Sequence, residues 1–148
     1  MNLSRFRTAA PVLLVLAFAG CGEKPDGRTP VRGKLVDGAK PFALDASKLK
    51  LPAGATALPP GSQPLTVVFI PAEGGSNASA VVNADAGTFE VNGPDGKGIK
   101  PGKYKVAITA TVGGGDYFGG KFAPEKTQIV REVKPGEEIV IDVSKPNG

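Results

Sequence analysis

The chain has no histidine and no tryptophan among its 148 residues, and one cysteine and one methionine. The missing histidine removes the side chain that most often serves as general base and as metal ligand near neutral pH. A lone cysteine excludes an internal disulfide. Charge of one sign is also lacking. Two of the 18 basic residues, Arg5 and Arg7, lie in the first 20 positions, where there is no acid, leaving 16 against 14 acidic residues in the remainder. That balance has no electrostatic footprint for nucleic acid. What the chain has in quantity is turn chemistry, with 21 glycines and 14 prolines beside an ordinary hydrophobic fraction of 41%. It is too apolar for a disordered chain and too punctuated for a helical one. Many short strands joined by turns fit it.

Residues 1–20 have the three parts of a secretory signal peptide. Arg5 and Arg7 make a positive start, Val12 to Phe18 an apolar run, and Ala19-Gly20 a small-residue end. The uncharged stretch from Thr8 to Gly22 is short for a membrane-spanning helix. Phe18-Ala19-Gly20-Cys21 resembles a bacterial lipobox, with Phe18 where an aliphatic residue is usual. The resemblance implies that Cys21 becomes the mature N-terminus and carries acyl chains, each buried methylene adding about 0.8 kcal/mol of attachment. Membrane lipid is then a partner through acylated Cys21, and the domain is exported and lies outside the cytoplasm. Gly22 gives no sorting signal for either membrane.

Residues 21–28 read as a polar tether, 29–144 as one folded domain and 145–148 as a tail. Within the domain, period-2 patterns predict seven strands: Val31–Leu35, Leu65–Ile70, Ala78–Val82, Thr88–Val91, Tyr104–Val112, Thr127–Val133 and Glu138–Val143. The strongest is Tyr104–Val112, where Tyr104, Val106, Ile108, Ala110 and Val112 share one face. Lys134-Pro135-Gly136-Glu137 reads as a hairpin joining the last two strands. Phe42 is expected to tuck back onto the core. Residues 43–63, rich in Pro and Gly, read as an irregular insertion, with a weak helical turn after Asp45 or a short edge strand at Leu49–Leu51.

Four segments carry a resemblance. Val31-Gly33-Leu35 with Ala39-Pro41, Val67-Phe69-Pro71, Asp85-Gly87-Phe89 and Pro101-Gly102-Tyr104-Val106 are similar to the motifs of the carboxypeptidase regulatory-like, or transthyretin-like, β-sandwich. The resemblance implies an all-β, seven-stranded Greek-key sandwich without catalytic activity. The hydroxyisourate hydrolases of that fold depend on histidines, which this chain lacks. The motif residues also have structural reasons to be what they are. Gly87 allows a sharp reversal before Phe89 enters the core. Pro101 presets a turn and Gly102 takes the positive φ. Tyr104 buries its ring while its hydroxyl stays bonded near the turn.

No catalytic or metal-binding residues and no cofactor are expected. Asp85, Asp95 and Asp116 sit among glycines but lack the spacing of a calcium loop. The glycines match neither a dinucleotide fingerprint nor a phosphate-binding loop. The best candidate for a ligand or partner is Asp116-Tyr117-Phe118 in the glycine-flanked 113–120 loop, read as mobile with aromatics at its tip. The same aromatics also suit a cap on one end of the sandwich. The expected role is a lipid-anchored interaction or structural module facing an envelope protein. The alternative is a carbohydrate or peptidoglycan binder using the 113–120 loop or the 43–63 insertion.

Overall fold

The computed structural model describes residues 26–145 apart from 50, 52, 56, 57, 59–61 and 114. The leader, Cys21 and most of the tether lie outside the described residues, as do residues 146–148. Among the described residues nine strands are present: β1 (Val31–Asp37), β2 (Lys40–Pro41), β3 (Leu65–Pro71), β4 (Ala78–Val81), β5 (Thr88–Val91), β6 (Gly102–Val112), β7 (Gly115–Asp116), β8 (Val130–Val133) and β9 (Ile139–Asp142). The two-residue strands β2 and β7 are additions to the seven expected. Among the described residues the helical content is one 3-10 turn, Ala46–Lys48. It begins where Asp45 Oδ1 accepts from the Ser47 backbone N–H and hydroxyl, at 3.0 and 2.6 Å.

The strands form two sheets. In the first, β1 is central, with antiparallel β5 and β2 on one edge and parallel β9 on the other. In the second, β6 is flanked by β3 and β8, all antiparallel, with β4 outside β3 and β7 folded back on the end of β6. Residues from both sheets enter one core cluster, so the arrangement is an all-β, two-sheet fold consistent with a sandwich. Alternation decides which residues enter. Leu65, Val67 and Phe69 of β3 face Tyr104, Val106, Ile108 and Ala110 of β6 across paired positions, and all seven are buried. Phe69 lies at the centre, with ring centroids 6.1 Å from Phe89 of the other sheet and 6.0 Å from Tyr104.

Three expectations need correction. Residues 134–137 do not make a hairpin: β8 pairs with β6 while β9 pairs in parallel with β1, so the segment crosses between sheets. Each strand has its own apolar face to bury, and Val133 and Ile139 bury theirs in opposite sheets. The sixth-strand pattern, starting at Thr127, becomes a strand only at Val130. Before that, Thr127 is buried and donates its hydroxyl to Val106 O at 2.6 Å, holding the chain along β6 without a ladder. The third concerns Leu49–Leu51, where the Leu51 N–H donates to Leu49 O at 3.0 Å in a local turn, not an edge strand.

The strand directions sort the loops to two ends. The start of β1, the 92–101 and 134–138 connections and the β3–β4 connection share one end. The β1–β2 turn, the 43–63 insertion, the 83–87 turn and the 113–120 loop share the other. β6, eleven residues long, runs the whole way, roughly 33 Å.

Candidate functional site

At the end where β1 starts, the chain is fastened before it enters the sheet. Thr29 and Ile99 exchange backbone hydrogen bonds at 2.9 Å in each direction. Arg28 pairs with Asp26 at 2.7 Å and with Asp95 at 2.5 Å. Desolvation pushes the Asp95 carboxyl up, but the Lys97 N–H and the Arg28 charge more than offset it and hold it below the usual range. Gly98 allows the approach, since a Cβ there would overlap the Thr29 carbonyl. Asp95, weighed by its sequence as a metal ligand, is thus a clasp on the first residues of the domain. Arg32 and Lys34 spend their charge on Glu90 at 3.3 Å and Glu138 at 2.8 Å across the outer face of the first sheet.

The opposite end carries the aromatic candidates. Gly115 and Asp116 pair with Val112 and Thr111 as a tight return of β6. The Asp116 carboxylate then accepts from two backbone groups, Ala110 N at 3.0 Å and Gly120 N at 2.7 Å. These bonds fix the loop from inside, so its described part is pinned, whereas its glycines had suggested mobility. Tyr117 N donates to Ala110 O at 2.8 Å, which turns Tyr117 and Phe118 down toward the core. Phe118 packs at 5.1 Å from Phe122 and 5.6 Å from Phe42, and Tyr117 sits edge-on to Phe42 at 6.1 Å. Phe42 and Phe122 are fully buried, while Tyr117 and Phe118 remain half exposed. The three candidate residues therefore lie together, with Asp116 as organiser and the two rings as lid. Phe42 tucks in as expected. Phe122 was missed by the sequence reading, because one aromatic between Lys121 and Ala123 shows no period.

Gly87 and Tyr104 occupy their expected places, whereas Pro101-Gly102 does not form the expected turn. Gly87 has φ +68°, and a Cβ there would lie 2.8 Å from Leu35 O, so tight packing adds to the turn requirement. Gly102 takes a positive φ, at +147°, well beyond the value near +80° of a type II turn. Pro101 ends the 92–101 connection and Gly102 opens β6 directly. The Tyr104 hydroxyl donates to Lys100 O at 2.8 Å, with the ring buried.

A groove of about 660 Å³ crosses the outside of the first sheet beside the 81–85 segment. Its polar walls include Asn83, Asp85, Thr88, Glu90 and Glu138 against one guanidinium, Arg32. Asn83 is committed to the turn, its Oδ1 accepting from Asp85 N and Ala86 N at 3.0 Å each. Among the described residues no group of three or more His, Cys, Asp or Glu side chains is placed to share a metal ion. Comparison with protein-family models, with curated proteins and with solved structures finds no match to this chain.

Proposed function

We propose that this chain is a non-catalytic interaction module, a transthyretin-like Greek-key sandwich held by acylated Cys21 on the outer side of a bacterial membrane. One observation carries the reading: the two ends of the fold differ in kind. The end nearest Cys21 is clasped shut by Arg28–Asp95 and Thr29–Ile99. The far end gathers the half-exposed Tyr117 and Phe118 and the longest insertion. Cys21 lies five residues before Asp26, so an anchor there keeps the clasped end within roughly 17 Å of the lipid. The aromatic end then points away from the membrane, where an envelope protein would meet it.

Two measurements test this. Cys21→Ser should move the protein from the membrane to the soluble fraction, and labelled fatty acid should enter only the wild type. A photo-crosslinker at position 117 should capture an envelope protein, while one at position 97 should capture lipid. Absence of fatty acid from the wild type rejects the anchor, and lipid crosslinks from position 117 reject the orientation. A second reading, glycan binding, is favoured by the half-exposed rings alone. Tyr117 and Phe118 meet at 81°, so only one of them can lie flat on a sugar. Glycan-array binding that disappears in Tyr117→Ala would support it.

A further inference from the structure

The sequence holds two Asn-Gly pairs, Asn92-Gly93 and Asn147-Gly148, and the first lies among the described residues. An asparagine followed by glycine can close on itself. The glycine nitrogen attacks the side-chain amide carbon, and without a Cβ nothing on the glycine crowds the approach. A fold suppresses that attack by bonding the asparagine side chain or the N–H of the residue after it. Asn92 has neither protection. It is exposed, and among the described residues neither its side-chain amide nor the Gly93 N–H makes a hydrogen bond. Comparable places are guarded. Asn83 gives its Oδ1 to Asp85 N and Ala86 N at 3.0 Å each, and an alanine follows it. In Asp37-Gly38 the glycine N–H donates to Asp142 Oδ1 at 3.0 Å. In Asp95-Gly96 the carboxylate is held by Arg28, and the Gly96 N–H reaches Gly93 O at 3.4 Å. The fold also cannot exchange Gly93 for a safer residue. Its φ is +65°, and a Cβ there would overlap Gly98 O.

We infer that Asn92-Gly93 is a site of spontaneous covalent modification, deamidation to isoaspartate, which loosens the clasp on Thr29. The Gly93 nitrogen bonds to Asn92 Cγ, the bond from Cγ to the amide nitrogen breaks, and ammonia leaves with the Gly93 proton. Water, the one co-reactant, then opens the cyclic imide at either carbonyl. Opening at the side-chain carbonyl leaves aspartate. Opening at the main-chain carbonyl routes the backbone through Cβ and Cγ, which is isoaspartate. That second product changes the fold. The main chain gains one carbon, about 1.5 Å of extra path, and the old main-chain carbonyl becomes a free carboxylate. In the intact protein that carbonyl accepts from Gly98 N at 2.7 Å, and Gly98 lies directly against the Thr29 carbonyl. The next residue, Ile99, exchanges its two 2.9 Å bonds with Thr29. Displacing position 92 therefore pulls on the clasp through adjacent residues.

The test ages the purified full-length protein, in detergent and mildly alkaline buffer, and maps its peptides by mass spectrometry. Aspartate and isoaspartate should appear at position 92 at least tenfold faster than at position 83. Mapping keeps position 92 apart from position 147. Amide hydrogen exchange at Thr29, Gly98 and Ile99 should rise several-fold in the aged wild type. Asn92→Gln keeps an amide but must close a larger ring, so it should stay unmodified and retain its slow exchange. Asn92→Ser has no amide to lose and should behave the same way, which keeps the comparison decisive if the glutamine variant is perturbed. Modification at position 92 no faster than at position 83 would overturn the site. Isoaspartate at position 92 with unchanged exchange at Thr29 and Ile99 would overturn the loosening of the clasp.

Discussion

Gly33 shows how one missing atom can place an aromatic ring. It pairs with Phe89 across β1 and β5, and a Cβ on Gly33 would overlap Phe89 Cζ and lie 2.5 Å from Ile139 O. The Phe89 ring therefore lies over bare backbone in the core. Gly33→Ala should destabilise the fold by about 1–3 kcal/mol, the usual range for overpacking, measured by denaturant unfolding. Adding Phe89→Leu should recover only part of that loss, because the Ile139 carbonyl does not move with the ring. Tyr104 gives a second case. Burial raises its pKa above the ordinary phenol value of 10.0, so the neutral phenol belongs to the folded state. Its stabilising contribution is complete below pH 10.0 and is lost as pH rises past that value toward the folded pKa. Tyr104→Phe should cost about 1 kcal/mol at pH 7 through the lost bond to Lys100 O. It should also reduce the loss of stability above pH 10.0, measured by thermal melts.

Arg131 holds together two strands that never pair. Its guanidinium bonds the outward carbonyls of β8 and β9, one in each sheet, and closes the seam between them. Arg131→Ala should lower stability by about 1–2 kcal/mol and expose both edges, giving concentration-dependent association on size-exclusion chromatography. Arg131→Lys should restore little, since an ammonium lacks the planar fork that serves two acceptors at once. The strands themselves were legible in the sequence because alternation names the buried face of each one. Val31, Leu35, Val67, Phe69, Phe89 and Val91 are all inside as their period requires. Partners were not legible, because alternation fixes a face but not a neighbour. Lys134-Pro135-Gly136-Glu137 has the residues of a hairpin, yet the strands on either side go to different sheets. Nor was the role of Asp142 legible, since an outward carboxylate on a strand gives no sign of what it bonds. Its carboxylate accepts from Ser144 Oγ at 2.7 Å and from Gly38 N at 3.0 Å, tying the end of β9 to the β1–β2 turn.

The charge pattern of the chain sets its response to pH. Asp142 is held below the usual carboxylate range by the Ser144 hydroxyl and the Gly38 N–H, and Asp45 chiefly by the Ser47 hydroxyl. Lowered carboxyls stabilise the fold above their unfolded pKa of 3.8, and that contribution is lost as pH falls through their folded values. Without histidine, little titrates between these acids and the tyrosines and lysines. Melting temperatures should therefore be nearly constant from about pH 5 to about pH 9 and fall below about pH 4. A steep change near pH 6.5 would contradict this. The candidate site was half legible: its aromatics stood out between glycines, but the carboxylate that pins them and the burial of Phe122 required the third dimension.

The parallel pairing of β1 with β9 decides when the protein can fold. Gly33 lies beside Ile139, so the centre of the first sheet waits for a strand more than a hundred residues further along the chain. A contact closed over so long a stretch slows folding toward the millisecond-to-second range of all-β domains. The first sheet thus stays unfinished until β9 is free to pair with β1, and the earlier strands wait as an open, incomplete layer until then.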